Sequence, residues 1–335
     1  MIDIPLEYRT SLSQYDYIDL FAGIGGFRIA LDSFGGNCVF TSEWDENCQK
    51  VYELNFSDTP YGDITLIPEN TIPPHDIICA GFPCQPFSIS GNRRGFKDTR
   101  GTLFFDIARI ASYHKPRLLI LENVRNLMTH DNGRTLETML EVLDEIGYRI
   151  KFKLLNASLF GVPQSRKRIF IIGIRKDLPQ NFQIPIGNNE TSSLLDILLS
   201  ESKINDRCFV NGIDIKPFKA KDDEIKQDIF GKYDQKPLRL GTIKKGGQGE
   251  RIYSSKGHSI TLSAYGGGVF SKTGGYLVDG GVRKLDPREC ARVTGFPDDF
   301  MLHDNVYQNW KQFGNSVVVD VIQEIIIKII DAKLL

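Results

Sequence analysis

The stretch Asp19-Leu20-Phe21-Ala22-Gly23-Ile24-Gly25-Gly26-Phe27 decides the fold. It follows an apolar, β-rich run and precedes an amphipathic one, so it predicts a glycine-rich turn between a first strand and a first helix. A doubly wound α/β fold binds a nucleotide-like cofactor at such a turn. Glycines also serve tight strand-to-helix turns that hold no ligand, so the turn alone predicts the fold and leaves the ligand open.

The same alternation continues to about residue 175, which predicts βαβ units and a mostly parallel sheet. The predicted strands are 17–21, 37–42, 76–80, 117–121, 148–156 and 168–174. The predicted helices are 27–33, 45–54, 103–113, 135–146 and, at the end of the chain, 317–335.

After about residue 185 the pattern changes. Polar residues dominate to about 235, and a glycine-rich stretch follows from 241 to 281, which predicts a second, irregular, β-rich lobe. Residues 231–257 carry seven Lys or Arg against two acidic residues, although the whole chain has a net charge of −1. A basic segment of this kind suits a polyanionic partner.

Composition narrows the class of protein. A chain of 335 residues with 41% hydrophobic and 25% charged residues is expected to form two lobes. There is no secretory signal pattern and no long apolar run, so we expect a soluble, cytoplasmic protein without a membrane partner. The six cysteines form no CxxC pair and no Cys/His cluster, which predicts reduced thiols and no metal site.

Acidic and aromatic residues stand where the cofactor is expected. Glu43 and Trp44 follow the second predicted strand, so a carboxylate would hold ribose hydroxyls and an indole would cover an adenine. Asp63 lies where a further acidic side chain could meet the adenine. A cofactor site with acidic and aromatic side chains and without Lys or Arg suits S-adenosylmethionine better than NAD. S-adenosylmethionine has an adenosine and a positive centre but no phosphates.

Three further side chains predict chemistry at the edge of the sheet. Cys84 follows the third predicted strand between two prolines, which makes it either a fixed nucleophile or an ordinary small buried cysteine. Glu122 follows the next strand, as a carboxyl group at the same edge or as an exposed strand end. Arg166 and Arg168 would point to one side of an extended segment, unless they form a solvated basic turn.

These residues fall into ordered motifs. After the glycine-rich turn come Pro83-Cys84-Gln85, Glu122-Asn123-Val124 and Gln164-Ser165-Arg166-Lys167-Arg168. The segments Arg288-Glu289-Cys290-Ala291-Arg292, Gly295-Phe296-Pro297 and Gln312-Phe313-Gly314-Asn315-Ser316-Val317 follow. In this order the motifs resemble those of the DNA (cytosine-5)-methyltransferase family, from residue 17 to about 320.

The resemblance implies a methyltransferase that uses S-adenosylmethionine, releases S-adenosylhomocysteine and acts on double-stranded DNA as a monomer. It implies catalytic roles for Cys84, Glu122, Arg166 and Arg168. The implied cofactor-binding residues are Phe21, Gly23, Gly25, Gly26, Glu43, Trp44, Asp63, Ile64, Pro83, Leu103, Asn315 and Ser316. The implied DNA-binding residues are Gln85, Ser88, Ser90, Arg94, Gln164, Gln248, Arg251, Tyr253 and Thr261. The basic loop 91–101 is either a lid over an extruded base or a solvated loop.

The glycine-rich segments 246–253 and 262–268 resemble, more narrowly, the recognition region of HhaI-type modification methyltransferases, which methylate the inner cytosine of GCGC. We therefore expect a catalytic and cofactor-binding domain at 1–196 and 315–335, a target-recognition domain at 197–286 and a hinge at 287–314. The alternatives are an RNA (tRNA) cytosine-5 methyltransferase, an NAD-dependent Rossmann oxidoreductase, for which the motifs around Cys84 and Glu122 have no use, and a catalytically silent DNA-recognition protein.

Overall fold

The computed structural model describes residues 4–83, 102–187, 192–210, 212–213, 215–217 and 236–335. Five predicted site residues lie outside the described residues: Cys84, Gln85, Ser88, Ser90 and Arg94. Contacts divide the chain into two units. We call residues 3–155, 167–186 and 322–335 the large-sheet unit, and residues 156–166 and 187–321, with the first two residues, the small-sheet unit.

The large-sheet unit is built on a six-stranded sheet in the order β2-β1-β3-β4-β7-β5. The strands are β1 (Asp16–Leu20), β2 (Asn37–Ser42), β3 (Ile77–Gly81), β4 (Leu118–Val124), β5 (Tyr148–Asn156) and β7 (Lys167–Arg175). The helices between and after them are α1 (Gly26–Asp32), α2 (Glu46–Phe56), α3 (Leu103–His114), α4 (Arg134–Glu145) and α7 (Val319–Asp331). The doubly wound α/β prediction is confirmed, with each of these elements within a few residues of its predicted bounds.

The strand order predicts a ligand site at the carboxyl ends of the strands in this sheet. Strand β1 pairs in parallel with β2 on one side and with β3 on the other, and β3 pairs in parallel with β4. The chain therefore adds β2 on one side of β1, and then adds β3 and β4 on the other side. The order in which strands are added reverses between β1 and β3. Open α/β sheets bind ligands outside the carboxyl ends of the strands at such a switch point.

Burial explains why these segments form these elements. Ile18 and Leu20 alternate along β1 and enter an apolar cluster. The cluster also includes Met139 and Leu143 from α4, which are four residues apart and so lie on one helical face. Asp45 caps the start of helix α2, because its side chain accepts a hydrogen bond from the Asn47 amide. The apolar face of α4 thus determines how that helix packs, and the Asp45 side chain determines where α2 starts.

The small-sheet unit holds a five-stranded sheet in the order β13-β12-β10-β9-β8 and a two-stranded pair of β11 and β6. The strands are β6 (Gln164–Ser165), β8 (Lys216–Pro217), β9 (Arg239–Thr242), β10 (Arg251–Ser254), β11 (Ser259–Ile260), β12 (Gly275–Val278) and β13 (Gly281–Arg283). Helices α5 (Pro287–Val293) and α6 (Val306–Asn315) follow. Short strands and glycine-rich connections match the predicted irregular lobe.

One buried ion pair anchors this unit. Glu289, fully buried, accepts two hydrogen bonds of 2.7 Å from the Arg283 guanidinium. Its carboxylate also accepts from the backbone amides of Asp286 at 2.8 Å and Leu199 at 2.9 Å. The glutamate therefore ties β13, the first turn of α5 and the chain near residue 199 together.

No helix among the described residues is long and apolar enough to cross a membrane. The predicted domain boundaries at 196, 286 and 314 remain a prediction.

Candidate active site

The turn after β1 has a backbone that only this kind of sequence tolerates. Gly23 and Gly25 have φ angles of +57° and +87°, in the left-handed region that glycine enters freely. Phe21 also has a positive φ, of +56°, which is uncommon for a side chain of this size. A Cβ on Gly23 would meet nothing within 4 Å, so the space beside this turn is open. Strain and open space make the turn a candidate ligand site.

Glu43 links the turn after β1 to the turn after β2. Its Oε2 accepts a hydrogen bond of 2.8 Å from the Gly23 amide, and its Oε1 accepts one of 2.8 Å from the Asp45 amide. Burial raises the pKa of this carboxyl, and the backbone donors oppose the rise. Each carboxylate oxygen has a second lone pair, so Glu43 can still accept from a ligand hydroxyl.

The surrounding side chains fit an adenosine with a positive centre. Trp44 is 79% exposed beside Glu43, which leaves its indole face available for stacking. Asp63 accepts a hydrogen bond of 3.0 Å from the Thr65 amide, and Ile64 is buried next to it. Carboxylates, an indole and open space beside Gly23 agree with the predicted donor set for S-adenosylmethionine.

The next pair of groups lies on β4 and β7. Glu122 is 7% exposed, and its Oε1 lies 3.0 Å from the Nε of Arg168. Glu122 is paired in register with Gly81 on β3 and with Phe170 on β7. The prediction that the strand ends at Leu121 was wrong, because β4 continues through Glu122-Asn123-Val124 along its antiparallel partner β7. The carboxylate is therefore held inside a paired strand.

Asn123 was not singled out by the sequence analysis. Its Nδ2 donates to the Phe82 carbonyl at 2.9 Å, and its Oδ1 accepts from the Val124 amide. The amide thus fixes the chain just after β3, where exposed Pro83 leads into Cys84. An asparagine beside a candidate acid, at the end of a buried apolar run, was the signal available in the sequence.

Gln164 and Arg166 lie in the small-sheet unit and have backbone partners there. The Gln164 amide donates to the Val293 carbonyl at 2.7 Å, and its oxygen accepts from the Leu262 amide at 3.1 Å. The Arg166 guanidinium, 2% exposed, donates to the carbonyls of Leu262, Gly314 and Ser316. The two arginines that the sequence grouped together thus have different partners: Arg168 contacts Glu122, and Arg166 contacts main-chain carbonyls.

The remaining predicted DNA-binding residues surround the glycine-rich segments. Gln248 is exposed in a short turn, and Arg251 begins β10 with an Nε that has no hydrogen-bond partner in the described part of the chain. Tyr253 is 6% exposed, with its ring 6.1 Å from that of Tyr276. Thr261 is half-buried and donates to the Ser165 carbonyl at 2.6 Å.

Three predicted cofactor residues lie further along the chain. Leu103, half-buried, is the first residue of α3 in the large-sheet unit. Asn315, exposed, ends α6 in the small-sheet unit, and Ser316, 8% exposed, follows it. Each remains a predicted contact.

Comparison with known proteins agrees with these features. A family described as C-5 cytosine-specific DNA methylase matches residues 15–331. The chain is 52% identical to the Type II methyltransferase M.HhaI of Haemophilus parahaemolyticus, over 97% of this chain and 96% of that protein. It is 44% identical to the Type II methyltransferase M.HpaII of Haemophilus parainfluenzae, over 92% of this chain and 87% of that protein.

Solved structures share the fold at lower identity. A DNMT2 mutant from Spodoptera frugiperda superposes with a TM-score of 0.70 at 19% identity, over 94% of this chain and 99% of that chain. A putative DNA modification methyltransferase from a prophage of E. coli gives 0.68 at 20% identity, over 95% and 99%.

Proposed function

This chain belongs to the C-5 cytosine-specific DNA methylase family, and on that premise we propose that it methylates a flipped cytosine in duplex DNA through a covalent bond to Cys84. It is a DNA (cytosine-5)-methyltransferase. One observation carries the proposed mechanism. Buried Glu122, paired with Arg168 at 3.0 Å, stands in register with Gly81 on the strand whose chain continues into Pro83 and Cys84.

The proposed methyl donor is S-adenosylmethionine, which supplies a methyl group activated by a sulfonium. The residues that would hold it are Phe21, the glycines of the first turn, Glu43, Trp44 and Asp63, with further proposed contacts from Ile64, Pro83, Leu103, Asn315 and Ser316. In this role Glu43 accepts from the ribose hydroxyls, while its bonds to Gly23 and Asp45 keep it in place.

The chemistry requires a nucleophile because carbon 5 of cytosine does not attack a sulfonium methyl unaided. The Cys84 thiolate adds to carbon 6, and the new carbon–sulfur bond makes the ring an enamine. Glu122, as the carboxylic acid, donates its proton to N3, where negative charge develops, and accepts from the exocyclic amine, while Arg168 keeps the carboxyl group in place. After carbon 5 accepts the methyl group, a base removes its proton and the bond to Cys84 breaks.

The target base must leave the helix first, since carbon 6 is shielded in stacked DNA. Extrusion costs a few kcal/mol. The basic segment 91–101 lies outside the described residues, and its predicted role as a cover for the extruded base stays a proposal, as do DNA contacts from Arg94, Gln85, Ser88 and Ser90.

We propose GCGC as the target, read mainly by Gln248 and Arg251. Exposed Gln248 offers a donor and an acceptor to a base edge or an orphaned guanine. Half-buried Arg251, the first residue of β10, can bind O6 and N7 of guanine with its planar fork. Contacts from half-buried Thr261 and from Tyr253, which is 6% exposed, also belong to the proposal, and exposed Lys244 and Lys245 meet phosphates.

The similarity to Type II methyltransferases supports a role as the modification enzyme of a restriction-modification system. We further propose that the protein acts as a monomer on DNA in the cytoplasm. RNA is the second candidate substrate, because a tRNA-methylating relative shares the motifs around Cys84 and Glu122. The match to the C-5 cytosine-specific DNA methylase family and the 52% identity to M.HhaI favour DNA.

The first experiment follows tritium from labelled S-adenosylmethionine into duplex DNA or tRNA. We expect label in DNA, none with Cys84→Ala, and near-normal label with Cys79→Ala, a control because Cys79 is fully buried within β3. DNA carrying 5-fluorocytosine should trap the wild-type protein covalently, because fluorine cannot leave as a proton does. Turnover by Cys84→Ala, or the absence of an adduct, contradicts the covalent mechanism. Label in tRNA alone contradicts the proposal that duplex DNA is the substrate.

The second experiment identifies the target by bisulfite sequencing of randomised duplex DNA after methylation. Protected cytosines in GCGC are expected, and any other motif refutes the specificity while leaving the methyltransferase assignment intact. Arg251→Ala should cost about 1–3 kcal/mol and relax discrimination at one guanine. Lys245→Ala should weaken binding to all sequences alike and flatten the salt dependence.

A further inference from the structure

The loop that follows β11 is held by side chains where a longer strand would use backbone hydrogen bonds. Strand β11 pairs with β6 over only two residue pairs, Ser259 with Gln164 and Ile260 with Ser165. Beyond it, Thr261 donates its hydroxyl to the Ser165 carbonyl at 2.6 Å. The segment 164–166 therefore remains the partner of this chain after the ladder ends.

At Leu262, side chains supply both of the hydrogen bonds that a partner strand would give to the backbone. Its amide donates to the Gln164 side-chain oxygen at 3.1 Å, and its carbonyl accepts from the Arg166 guanidinium at 3.1 Å. Leu262 itself is 1% exposed. Both backbone polar groups of a buried residue are thus satisfied by two side chains from one short segment, and losing either would leave a buried group unpaired.

Leu262 is the last residue before a closed loop. The Ser263 amide donates to the Lys272 carbonyl at 2.9 Å, which joins the two ends of the loop 263–272. Tyr265 and the three glycines after it are exposed at its tip. We call residues 263–272 the reading loop, since it includes most of the second glycine-rich segment. Its Phe270 amide donates to the Gly249 carbonyl at 2.8 Å, which joins it to the turn that carries Gln248.

The base of the reading loop has no spare room. A Cβ on Gly314 would lie within 3.0 Å of the Ala264 amide nitrogen and the Ser263 carbonyl carbon, so the two backbones pack directly together. Arg166 donates to the Gly314 carbonyl at 3.2 Å as well as to Leu262. The side-chain Nε2 of Gln164 donates to the Val293 carbonyl, while its Oε1 accepts from Leu262. The loop base is thereby fixed against α5 and α6.

We propose that Gln164 and Arg166 are positioning residues that hold the reading loop in the geometry needed to discriminate between DNA sequences. They act through Leu262. This deepens the proposed function and rests on it, because it presumes that the reading loop faces DNA. A base contact discriminates only when its donor and acceptor atoms lie within hydrogen-bond range, so a displaced loop loses discrimination before it loses phosphate affinity.

The test compares Gln164→Leu and Arg166→Lys with Gln323→Leu. Gln323 is a matched control, since it is fully buried and bonded to the Ser33 hydroxyl at 3.0 Å within the large-sheet unit. Thermal unfolding first establishes that each variant is folded. Affinity is then measured for the duplex that the wild type methylates and for the same duplex with one altered base pair in the site.

Discrimination is the dissociation constant for the altered duplex divided by that for the duplex that the wild type methylates. We expect this ratio to fall about tenfold in Gln164→Leu and in Arg166→Lys, which is the effect of losing one base contact. It should stay at the wild-type value in Gln323→Leu. A merely structural role would lower stability in all three variants and leave the ratio unchanged in each, which would overturn the proposal. A wild type that shows no discrimination would instead overturn the proposed function.

A second measurement is independent of DNA. Hydrogen exchange of the free protein should show the Leu262 amide protected in the wild type and in Gln323→Leu, and at least tenfold faster in Gln164→Leu. Equal protection of Leu262 in all three proteins would overturn the proposal even if the variants fail to bind DNA.

Discussion

His75 is expected to make the stability of this protein fall as the pH drops below about 6.5. It precedes β3 at the amino edge of the large sheet, away from the strand ends that carry the candidate site. The side chain is 8% exposed, and its Nδ1 lies 2.8 Å from the Pro73 carbonyl, so Nδ1 carries the hydrogen that is donated. Nε2 has no hydrogen-bond partner among the described residues. Protonation would therefore place a charged N–H where no acceptor lies.

The size of the effect follows from the pKa. Burial lowers the pKa of His75 from 6.5 to about 4, and nearby His114, whose ring centroid lies 4.7 Å away, adds to the effect. The Pro73 carbonyl and Asp16 oppose it. Between those two pH values the unfolded chain binds a proton that the folded protein does not, so unfolding becomes more favourable as the pH falls. At about 1.4 kcal/mol per pKa unit, the loss is about 3 kcal/mol.

Urea unfolding of the wild type and of His75→Gln at a series of pH values between 7.5 and 3.5 measures this term. Glutamine can still donate to Pro73 but does not titrate. The free energy of unfolding of the variant, relative to the wild type, should rise by about 3 kcal/mol as the pH falls from about 6.5 to about 4. His130→Gln, a half-buried histidine that contacts Thr135, is the control for loss of a histidine. Parallel curves for the wild type and His75→Gln would refute the reasoning.

Two further predictions concern packing and the first turn. Glu289→Ala leaves the buried Arg283 without its carboxylate and should lower the free energy of unfolding by about 3–5 kcal/mol, whereas Asp298→Ala, which breaks an exposed ion pair, should cost no more than about 1 kcal/mol. Similar losses in urea unfolding would contradict the assignment of Glu289 as an anchor. Gly25→Ala forces a side chain into φ +87° and within 3.0 Å of the Phe56 ring, so it should cost about 1–2 kcal/mol and weaken cofactor binding measured by calorimetry. Adding Phe56→Leu should recover part of the loss, and a Gly25→Ala protein with unchanged stability and affinity would show that the turn is not strained.

Local pattern was enough to predict the large sheet. Each of its strands is a run of apolar residues with a period that the sequence displays, and α4 shows its buried face in the spacing of Leu136, Met139 and Leu143. The end of β4 was missed for a tertiary reason. Glu122 and Asn123 have low strand propensity, but pairing with β7 extends the strand through them.

The partners of the polar site residues were harder to predict. Glu122 and Arg168 were each expected at the site, yet their contact depends on the register between β4 and β7, which no local pattern encodes. Gln164 was predicted to bind DNA, and Arg166 was predicted to be catalytic. Their acceptors are backbone carbonyls about 100 to 150 residues away in the chain, and such partners leave no trace in spacing or composition.

The two units fix their functional groups by different means, and the difference has a physical cause. In the large-sheet unit Glu122 sits in a strand paired on both sides, so register with Gly81 and Phe170 sets its position. A loop that binds DNA, as proposed for the reading loop, cannot be flanked by strands in this way, because its outer face has to stay open. The reading loop has exposed glycines at its tip and is held at its base by Gln164 and Arg166. We therefore expect that its tip can vary in sequence without disturbing the register that holds Glu122, the proposed catalytic carboxyl group, provided that these two side chains keep Leu262 in place.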